Sequence, residues 1–186
     1  PDTSRATRGM PLVQILQLKP DESVQTMLTV SSMEEEGDLF FATRMGEIKR
    51  MALGALGNIR VNGINTIDLE PGDELISVRH GSQEDDLIMV SSQGMSIRFP
   101  AVQVRRSSRI AGGVRGIRLR DEDVVVAMDV AEPEGQLLVI SRRGYGKPTA
   151  LERYRLQSRG GYGLKTFRLT SKSGPVAAAR VVKEGE

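Results

Sequence analysis

The chain has 186 residues with no Cys, one His and 26 basic against 24 acidic side chains, a net charge of +2. This composition excludes disulfide frameworks, thiolate zinc sites and thiol nucleophiles, and one His argues against a catalytic triad or a multi-His metal site. No apolar run approaches the roughly 18–20 residues of a membrane span. Residues 1–5 do not resemble a signal peptide and the first residue is not Met, so we expect a cytoplasmic fragment.

The small net charge conceals an uneven distribution along the chain. Residues 98–168 carry 15 basic and 7 acidic side chains, a balance of +8, whereas the remainder carries 11 and 17, a balance of −6. In the basic region Arg outnumbers Lys by 13 to 2, which suits bidentate contacts with phosphate. Such asymmetry between halves of a chain indicates a polyanionic partner.

The N-terminal stretch contains two short apolar runs, at residues 8–18 and 23–30. They match the second half of a unit that then recurs three times. Each full unit opens with an apolar run, a polar pair or triplet and a Gly, at residues 38–46, 86–94 and 136–144. The glycines are 48 and then 50 residues apart. A second short run follows each Gly, at residues 47–53, 95–99 and 145–151, which predicts a β-hairpin.

A connector of about ten residues and two further strands complete each unit. The predicted strand pairs are residues 63–69 with 74–78, 114–119 with 124–128, and 163–169 with 176–182. Recurrence of four short strands predicts an all-β, propeller-like array with about three and a half modules. We interpret residues 1–186 as a single domain: a half blade and loop at 1–36 and blades at 37–85, 86–135 and 136–186. A β-sandwich or barrel is the alternative, and helix is limited to single turns at 50–56 and 151–156.

Most basic side chains fall on the second strand of a unit or on the connector behind it, which places them on the same edge of successive blades. Aromatic residues make up only 4% of the chain, so stacking platforms for single strands are scarce. We therefore predict contacts with duplex phosphates. The alternatives are solvated surface charge and a scaffold for an acidic protein partner. The predicted contacts are Arg98, Arg105, Arg106, Arg109, Arg115, Arg142, Arg143, Lys147, Arg155, Arg159 and Lys165.

No catalytic constellation is recognisable. Tyr145, Tyr154 and Tyr162 are predicted to serve in packing, and His80, beside a Gly-Ser turn, is predicted to be exposed. The acidic runs at residues 34–36 and 84–86 are expected to be solvated loops away from the connectors rather than metal sites. No phosphate-binding Gly-rich loop with its Lys-Ser/Thr is present, and no cofactor is expected.

Five strings of the sequence carry a resemblance to a known family. They are residues 37–50, 96–100, 113–120, 144–147 and 154–161, and they resemble the C-terminal domain of the bacterial DNA gyrase A protein. The related topoisomerase IV protein is the lesser match. The resemblance implies a β-pinwheel whose basic rim binds and wraps double-stranded DNA, supporting negative supercoiling by the whole enzyme. It further implies a bacterial, nucleoid-associated protein whose cleavage tyrosine lies in another domain and whose ATPase lies in the gyrase B protein.

The same family carries a wrapping motif of the form Gln-Arg-Arg-Gly-Gly-Lys-Gly in its first blade. The nearest string here resembles a degenerate copy, with Ser158 and Tyr162 where the motif has basic residues. The matching positions are Gln157, Arg159, Gly160, Gly161 and Gly163. The residues themselves leave two interpretations of this string, a phosphate-approaching loop and a structural turn or bulge.

Overall fold

The computed structural model describes residues 9–11, 14–16, 18–19, 22–57, 59 and 63–183. Within them the fold is all-β, with short 3₁₀ turns at Leu53–Leu56, Ala101–Gln103 and Leu151–Arg153, and no helix there is long and apolar enough to cross a membrane. In chain order the strands are β1 (Asp38–Thr43), β2 (Glu47–Ala52), β3 (Leu75–Gly81), β4 (Asp86–Ser91), β5 (Met95–Pro100), β6 (Val114–Arg115), β7 (Val125–Val130), β8 (Gln136–Ser141), β9 (Gly146–Ala150), β10 (Leu164–Lys165) and β11 (Val176–Val182).

The strands form three antiparallel sheets in the orders β3-β1-β2-β6, β10-β5-β4-β7 and β11-β8-β9. The propeller-like prediction is therefore confirmed, and the sandwich or barrel alternative is wrong. Two sheets take their outermost strand from the following sequence unit: β6 pairs with β2, and β10 pairs with β5. Each four-stranded sheet is thus completed across a boundary of the sequence repeat.

The recurring hairpin glycine receives this exchanged strand. Gly94 has a φ of +75°, and an added Cβ would lie 2.3 Å from the carbonyl oxygen of Phe167. The Gly94 carbonyl in turn accepts hydrogen bonds from Thr166 N and Phe167 N, at 2.9 and 3.2 Å. The residue must therefore be Gly both for its left-handed backbone conformation and for the close approach of the next unit.

Two predicted strands do not form in the described residues. Residues 63–69 belong to no sheet, although they occupy the position in the repeat that β6 and β10 occupy later. Such a strand pairs with the hairpin of the preceding unit, and the described chain contains no hairpin before β1. Residues 23–30 also belong to no sheet, and parts of residues 8–18 lie outside the described residues.

The sheets pack through strands that bury both faces. In β1 all six residues are buried, with Phe40 facing the core between the first two sheets and Leu39 and Phe41 facing the opposite side. In β4, Leu87 and Met89 join Phe40, whereas Ile88 and Val90 pack toward the third sheet. This alternation follows from the two-residue period of a strand.

The opposite edges of the sheets meet along β3, β7 and β11, which form the inner side of the array. Asp129 on β7 joins all three sheets. Its Oδ1 accepts a hydrogen bond from Arg79 Nε on β3 at 2.7 Å, and its Oδ2 accepts one from Val181 N on β11 at 2.9 Å. Because these strands are inner, β6, β10 and their connectors lie on the outer side.

Candidate nucleic-acid interface

Two connectors lead to the exchanged strands: connector 1 (residues 104–113) and connector 2 (residues 154–163). Each lies beside the outer hairpin strand of the preceding sheet. Ser107 N donates to Arg50 O at 2.9 Å, and at the equivalent place Gln157 N donates to Arg98 O at 2.8 Å. The connectors therefore follow the outer side of the array in the same way at successive units.

Connector 2 also contacts the residues that flank connector 1 on both sides, mainly through Arg159. Its Nε donates to Gln103 O at 3.0 Å, its Nη1 donates to Arg115 O at 2.8 Å, and its amide donates to Gln103 Oε1 at 2.9 Å. Gly160 N then donates to Gly116 O at 2.6 Å. Arg159 is half-buried, and it thus fixes connector 2 against the end of connector 1.

Nine of the eleven predicted contact residues are exposed on this outer side or on the β8–β9 turn. Arg143 in that turn also donates to Ser171 O. The turn is the repeat equivalent of the β4–β5 turn, beside which Lys165 lies. The exposed side chains are Arg105, Arg106, Arg109, Arg115, Arg142, Arg143, Lys147, Arg155 and Lys165.

Arg98 is engaged inside the protein. Its Nη2 lies 2.7 Å from Asp86 Oδ2, and its Nη1 donates to Leu151 O at 2.9 Å. These bonds fasten the hairpin of the second sheet to the turn that begins connector 2. Arg98 thus orders the backbone of the surface, and the structure offers no free guanidinium for phosphate at this position.

Arg106 combines exposure with an internal anchor. Its Nε lies 2.7 Å from Asp38 Oδ1, and its side chain is 55% exposed whereas that of Asp38 is 1% exposed. Arg50 occupies the other carboxylate oxygen of Asp38, at 2.7 Å. The hydrogen bond and charge of Asp38 raise the pKa of Arg106. A buried carboxylate therefore holds this guanidinium at the surface.

Connector 1 is held by a buried cation that was not among the predicted residues. Lys49 Nζ donates to the carbonyl oxygens of Thr66, Arg109 and Ala111, at 2.7, 2.8 and 2.7 Å. Burial lowers the pKa of Lys49, and the nearby charge of Asp68 opposes this effect. Lys147 occupies the equivalent position on β9. No connector of a later unit packs on β9 in the part of the chain that the structure describes, and the side chain of Lys147 is exposed.

The glycine string of connector 2 forms part of the junction between units. Gly163 has a φ of +72°, and an added Cβ would lie 2.3 Å from Ser96 O, where the chain enters β10. Gly161 O accepts a hydrogen bond from Arg118 N at 2.8 Å. Gln157 is half-buried. These contacts support the interpretation of the string as a structural turn or bulge. A role of the string in DNA binding stays a prediction.

The acidic loops lie closer to connector 1 than expected. Residues 34–36 and Glu84 line an open depression whose other side carries Arg50 and Arg106. Residues 34–36 and Glu84 are exposed, as predicted, but they do not lie away from the connectors. The repeat pattern could not show this, because the proximity arises when connector 1 crosses to the sheet of the preceding unit. The expectation of a solvated loop is wrong for Asp85 and Asp86, which are half-buried because Asp85 accepts a hydrogen bond from Ser82 N and Asp86 pairs with Arg98.

Three further expectations concern polar side chains. His80 is half-buried, not exposed, with its Nε2 buried against Gly37. Tyr154 packs in the core, as predicted, and its hydroxyl lies 2.5 Å from Thr166 Oγ1, but Tyr145 and Tyr162 are exposed. Among the residues described, no group of three or more His, Asp or Glu side chains is arranged to hold a metal ion.

Two exposed arginines outside the predicted contact set approach an aromatic ring. The guanidinium carbons of Arg118 and Arg120 each lie 5.4 Å from the centroid of the Tyr162 ring. The available signal was the spacing of two basic residues two positions apart in a strand-like segment, which places both on one face. Their approach to Tyr162 depends on the contact between connectors, which the sequence does not reveal.

Replacing Lys49 with Met tests how connector 1 is held. Lys49→Met leaves three carbonyl oxygens without their donor, so we expect the free energy of unfolding to fall by about 1–3 kcal/mol. The matched variant Lys147→Met changes the exposed equivalent and should stay within about 0.5 kcal/mol of wild type. Urea unfolding measures both.

The pH dependence of the free energy of unfolding, compared between wild type and Lys49→Met, also tests the role of Lys49. The folded-state pKa of Lys49 lies below the ordinary value of 10.5, so the unfolded chain binds more protons between these two pKa values. Wild-type stability should therefore gain relative to Lys49→Met as the pH rises through that window. Equal stabilities for the two Met variants would contradict this role of Lys49.

Comparison with known proteins identifies the family. A family model described as the DNA gyrase C-terminal domain, a β-propeller, matches residues 1–31, 37–80, 85–132 and 135–183. The DNA gyrase A protein of Dehalogenimonas lykanthroporepellens is 40% identical over 97% of this chain and 22% of the relative. The DNA gyrase A protein of Staphylococcus epidermidis is 39% identical over 98% of this chain and 21% of the relative.

Solved structures show the same fold. A C-terminal domain of DNA topoisomerase IV matches with a TM-score of 0.86 at 22% identity, covering 95% of this chain and 55% of that one. A DNA gyrase A C-terminal domain matches with a TM-score of 0.84 at 24% identity, covering 96% and 60%. The chain spans about a fifth of the length of its curated relatives. With four repeats of the family model matched, the chain belongs to the DNA gyrase C-terminal domain family.

Proposed function

We propose that the chain binds and wraps duplex DNA as part of the C-terminal domain of a gyrase A protein. The observation that carries this proposal is the contact of connector 2 with both ends of connector 1. Arg159 joins connector 2 to the backbone of Arg115, so the connectors of successive units are neighbours. This contact supports one outer strip of exposed arginines that runs from unit to unit. A strip that continues from sheet to sheet suits an extended polyanion.

The chemistry of the strip supports phosphate binding without base recognition. Arginine presents a planar guanidinium that can donate two hydrogen bonds to one phosphate. Phosphate contacts fix the position of a duplex but carry no sequence information. Exposed rings on which bases could stack are few, with only Tyr145 and Tyr162 among residues 104–165. The expected ligand is therefore double-stranded DNA of any sequence.

In the whole protein, the proposed role is to support ATP-dependent negative supercoiling. The chain would act with the remainder of the gyrase A protein and with the gyrase B protein, which would supply DNA cleavage and ATP hydrolysis. It would need no cofactor of its own. This proposal assigns it to the chromosome, in the bacterial cytoplasm.

The alternatives are less well supported. The likeness to topoisomerase IV concerns the fold, whereas the 39–40% identical relatives covering nearly the whole chain are gyrase A proteins. An acidic protein partner would also be attracted to the strip. Its binding should then be independent of duplex DNA, which distinguishes that function from the proposed one.

A salt titration tests duplex binding. Fluorescence anisotropy of a labelled duplex should show log affinity falling linearly with log salt, with a slope of about −0.9 for each phosphate contacted. Changing Arg105, Arg109 and Arg155 to Gln should reduce the magnitude of the slope by up to about 2.7. A slope near zero for wild type would refute duplex binding.

Ligation of nicked circular DNA in the presence of the full chain tests wrapping separately. A duplex that wraps along the strip in a superhelical path of one hand changes the linking number of the closed product, which gel electrophoresis resolves. We expect a shift of the topoisomer distribution that grows with protein concentration. An unchanged distribution at saturating protein would mean that the chain binds DNA without wrapping it.

A further inference from the structure

The exposed ring of Tyr162 brings together two arginines from the unit before it. Arg118 and Arg120 both lie 5.4 Å from its centroid, and all three side chains are exposed. An aromatic face attracts guanidinium groups, which can stack there and still donate hydrogen bonds from their edges. Two cations that would otherwise repel each other are thus both held near one ring at the surface.

The backbone at this place fixes the arrangement. Arg118 N donates to Gly161 O at 2.8 Å, and Gly160 N donates to Gly116 O at 2.6 Å. We name this meeting of residues 116–120 with residues 159–162 the second crossing. Each segment of the crossing is also continuous with a strand that is paired in a sheet, β6 for the first and β10 for the second.

The preceding unit contains an equivalent first crossing, where residues 66–70 meet residues 109–112. Its backbone contact is of the same kind: Asp68 N donates to Ala111 O at 3.2 Å, and Lys49 binds the carbonyl oxygens of Thr66 and Ala111. The side chains are reversed in charge. Asp68 and Glu70 stand where the second crossing has Arg118 and Arg120, and Gly112 stands where it has Tyr162.

The surroundings of the exchanged strand β6 are also more acidic than those of the exchanged strand β10. Arg115 shares a cavity of about 200 Å³ with Glu47, Glu70 and Asp73, and Asp73 Oδ2 is buried without a hydrogen-bond partner. Lys165 is the repeat equivalent of Arg115. The residues equivalent to Glu47 and Glu70 are there Met95 and Arg120.

The equivalent acid of the second unit has more hydrogen-bond donors around it. Asp123, the equivalent of Asp73, accepts hydrogen bonds from Ser91 Oγ at 2.6 Å and Ser92 Oγ at 2.8 Å. Both of its carboxylate oxygens therefore accept hydrogen bonds, whereas Asp73 accepts them at Oδ1 only, from Met45 N and Glu74 N. Asp73 also lines the cavity that holds Arg115 with Glu47 and Glu70, so three carboxylates surround that cation. Carboxylates close to a cation lower the attraction of that cation for a phosphate.

We propose that the second crossing is the main phosphate-binding position of the chain, with Arg118 and Arg120 as the contacts and Tyr162 as the support that positions them. The side chains of residues 66–70, which occupy the equivalent place at the first crossing, then contribute little to DNA binding. This inference rests on the proposed function of duplex binding. It makes the DNA-binding strip strongest between the second and third sheets and weakest between the first and second.

Anisotropy titrations of the full chain with a labelled duplex test the inference. Arg118→Gln with Arg120→Gln should reduce the magnitude of the salt slope by about 1.8 and weaken affinity by roughly eightfold for each lost contact at about 0.1 M salt. The matched control Lys19→Gln with Arg180→Gln removes the same charge from an exposed residue of the N-terminal stretch and from the inner strand β11, and it should change the slope far less. Equal effects of the two double variants would overturn the inference.

Tyr162 and the first crossing provide independent variants. Tyr162→Phe keeps the ring and should bind as wild type does, whereas Tyr162→Ala should weaken binding several-fold with the salt slope nearly retained. Glu70→Arg should tighten binding and steepen the slope by about 0.9, because it adds a cation and removes a carboxylate facing Arg115. Asp68 is left in place because its charge supports buried Lys49.

The outcomes separate this inference from the proposed function. Absence of salt-dependent binding by wild type would refute duplex binding itself. Salt-dependent binding that is insensitive to Arg118, Arg120 and Tyr162, with no gain from Glu70→Arg, would overturn only the assignment to the second crossing. Unfolding midpoints of each variant confirm that the comparison is made between folded proteins.

Discussion

The exchange of outer strands between consecutive units is the constraint on which the rest of the structure depends. A hairpin such as β4–β5 leaves one edge open, and β10 of the next unit closes it through the pairs Leu164 with Ser96 and Lys165 with Met95. The chain must therefore leave its own sheet, cross the outer side of the array and return. The connectors exist because of that path, and so the exposed basic residues lie outside the sheets and not on their faces.

Because of this exchange, the basic side chains fall into two groups, one bound inside the protein and one exposed on the connectors. Arg98 and Lys49 are bound to internal oxygens, and they order the connectors from beneath. Residues such as Arg105 and Arg155 are exposed on the connectors that those internal bonds fix. Because a preorganised surface loses less conformational entropy on binding, the internal cations can contribute to affinity without touching a ligand.

Much of the fold could be predicted from the sequence because the repeat is regular. The hairpins follow from the apolar runs around Gly46, Gly94 and Gly144, and the 3₁₀ turns after β2 and β9 lie where single helical turns are predicted. Strand exchange could not be predicted, because pairing β6 with β2 is a long-range choice that leaves no local pattern. The failure of residues 63–69 to form a strand has the same origin.

The sequence predicted which region of the chain is basic, but it did not predict which individual arginines are exposed. The excess of basic residues over 98–168 identified the region. From the sequence, Arg98, Arg105 and Arg106 were all predicted as phosphate contacts, because nothing in their positions distinguishes them. Their different states depend on Asp86 and Asp38, which lie on other strands. Likewise, the convergence of Arg118 and Arg120 on Tyr162 requires two connectors to meet.

Amide hydrogen exchange of the full chain, with and without duplex DNA, tests most directly whether the outer connectors form the DNA interface. If the outer connectors form the interface, a saturating duplex should slow exchange in residues 104–120 and 154–165. Exchange in the inner strands β3, β7 and β11 should be unchanged. Protection confined to the inner strands, or to the acidic loop at residues 34–36, would contradict the account.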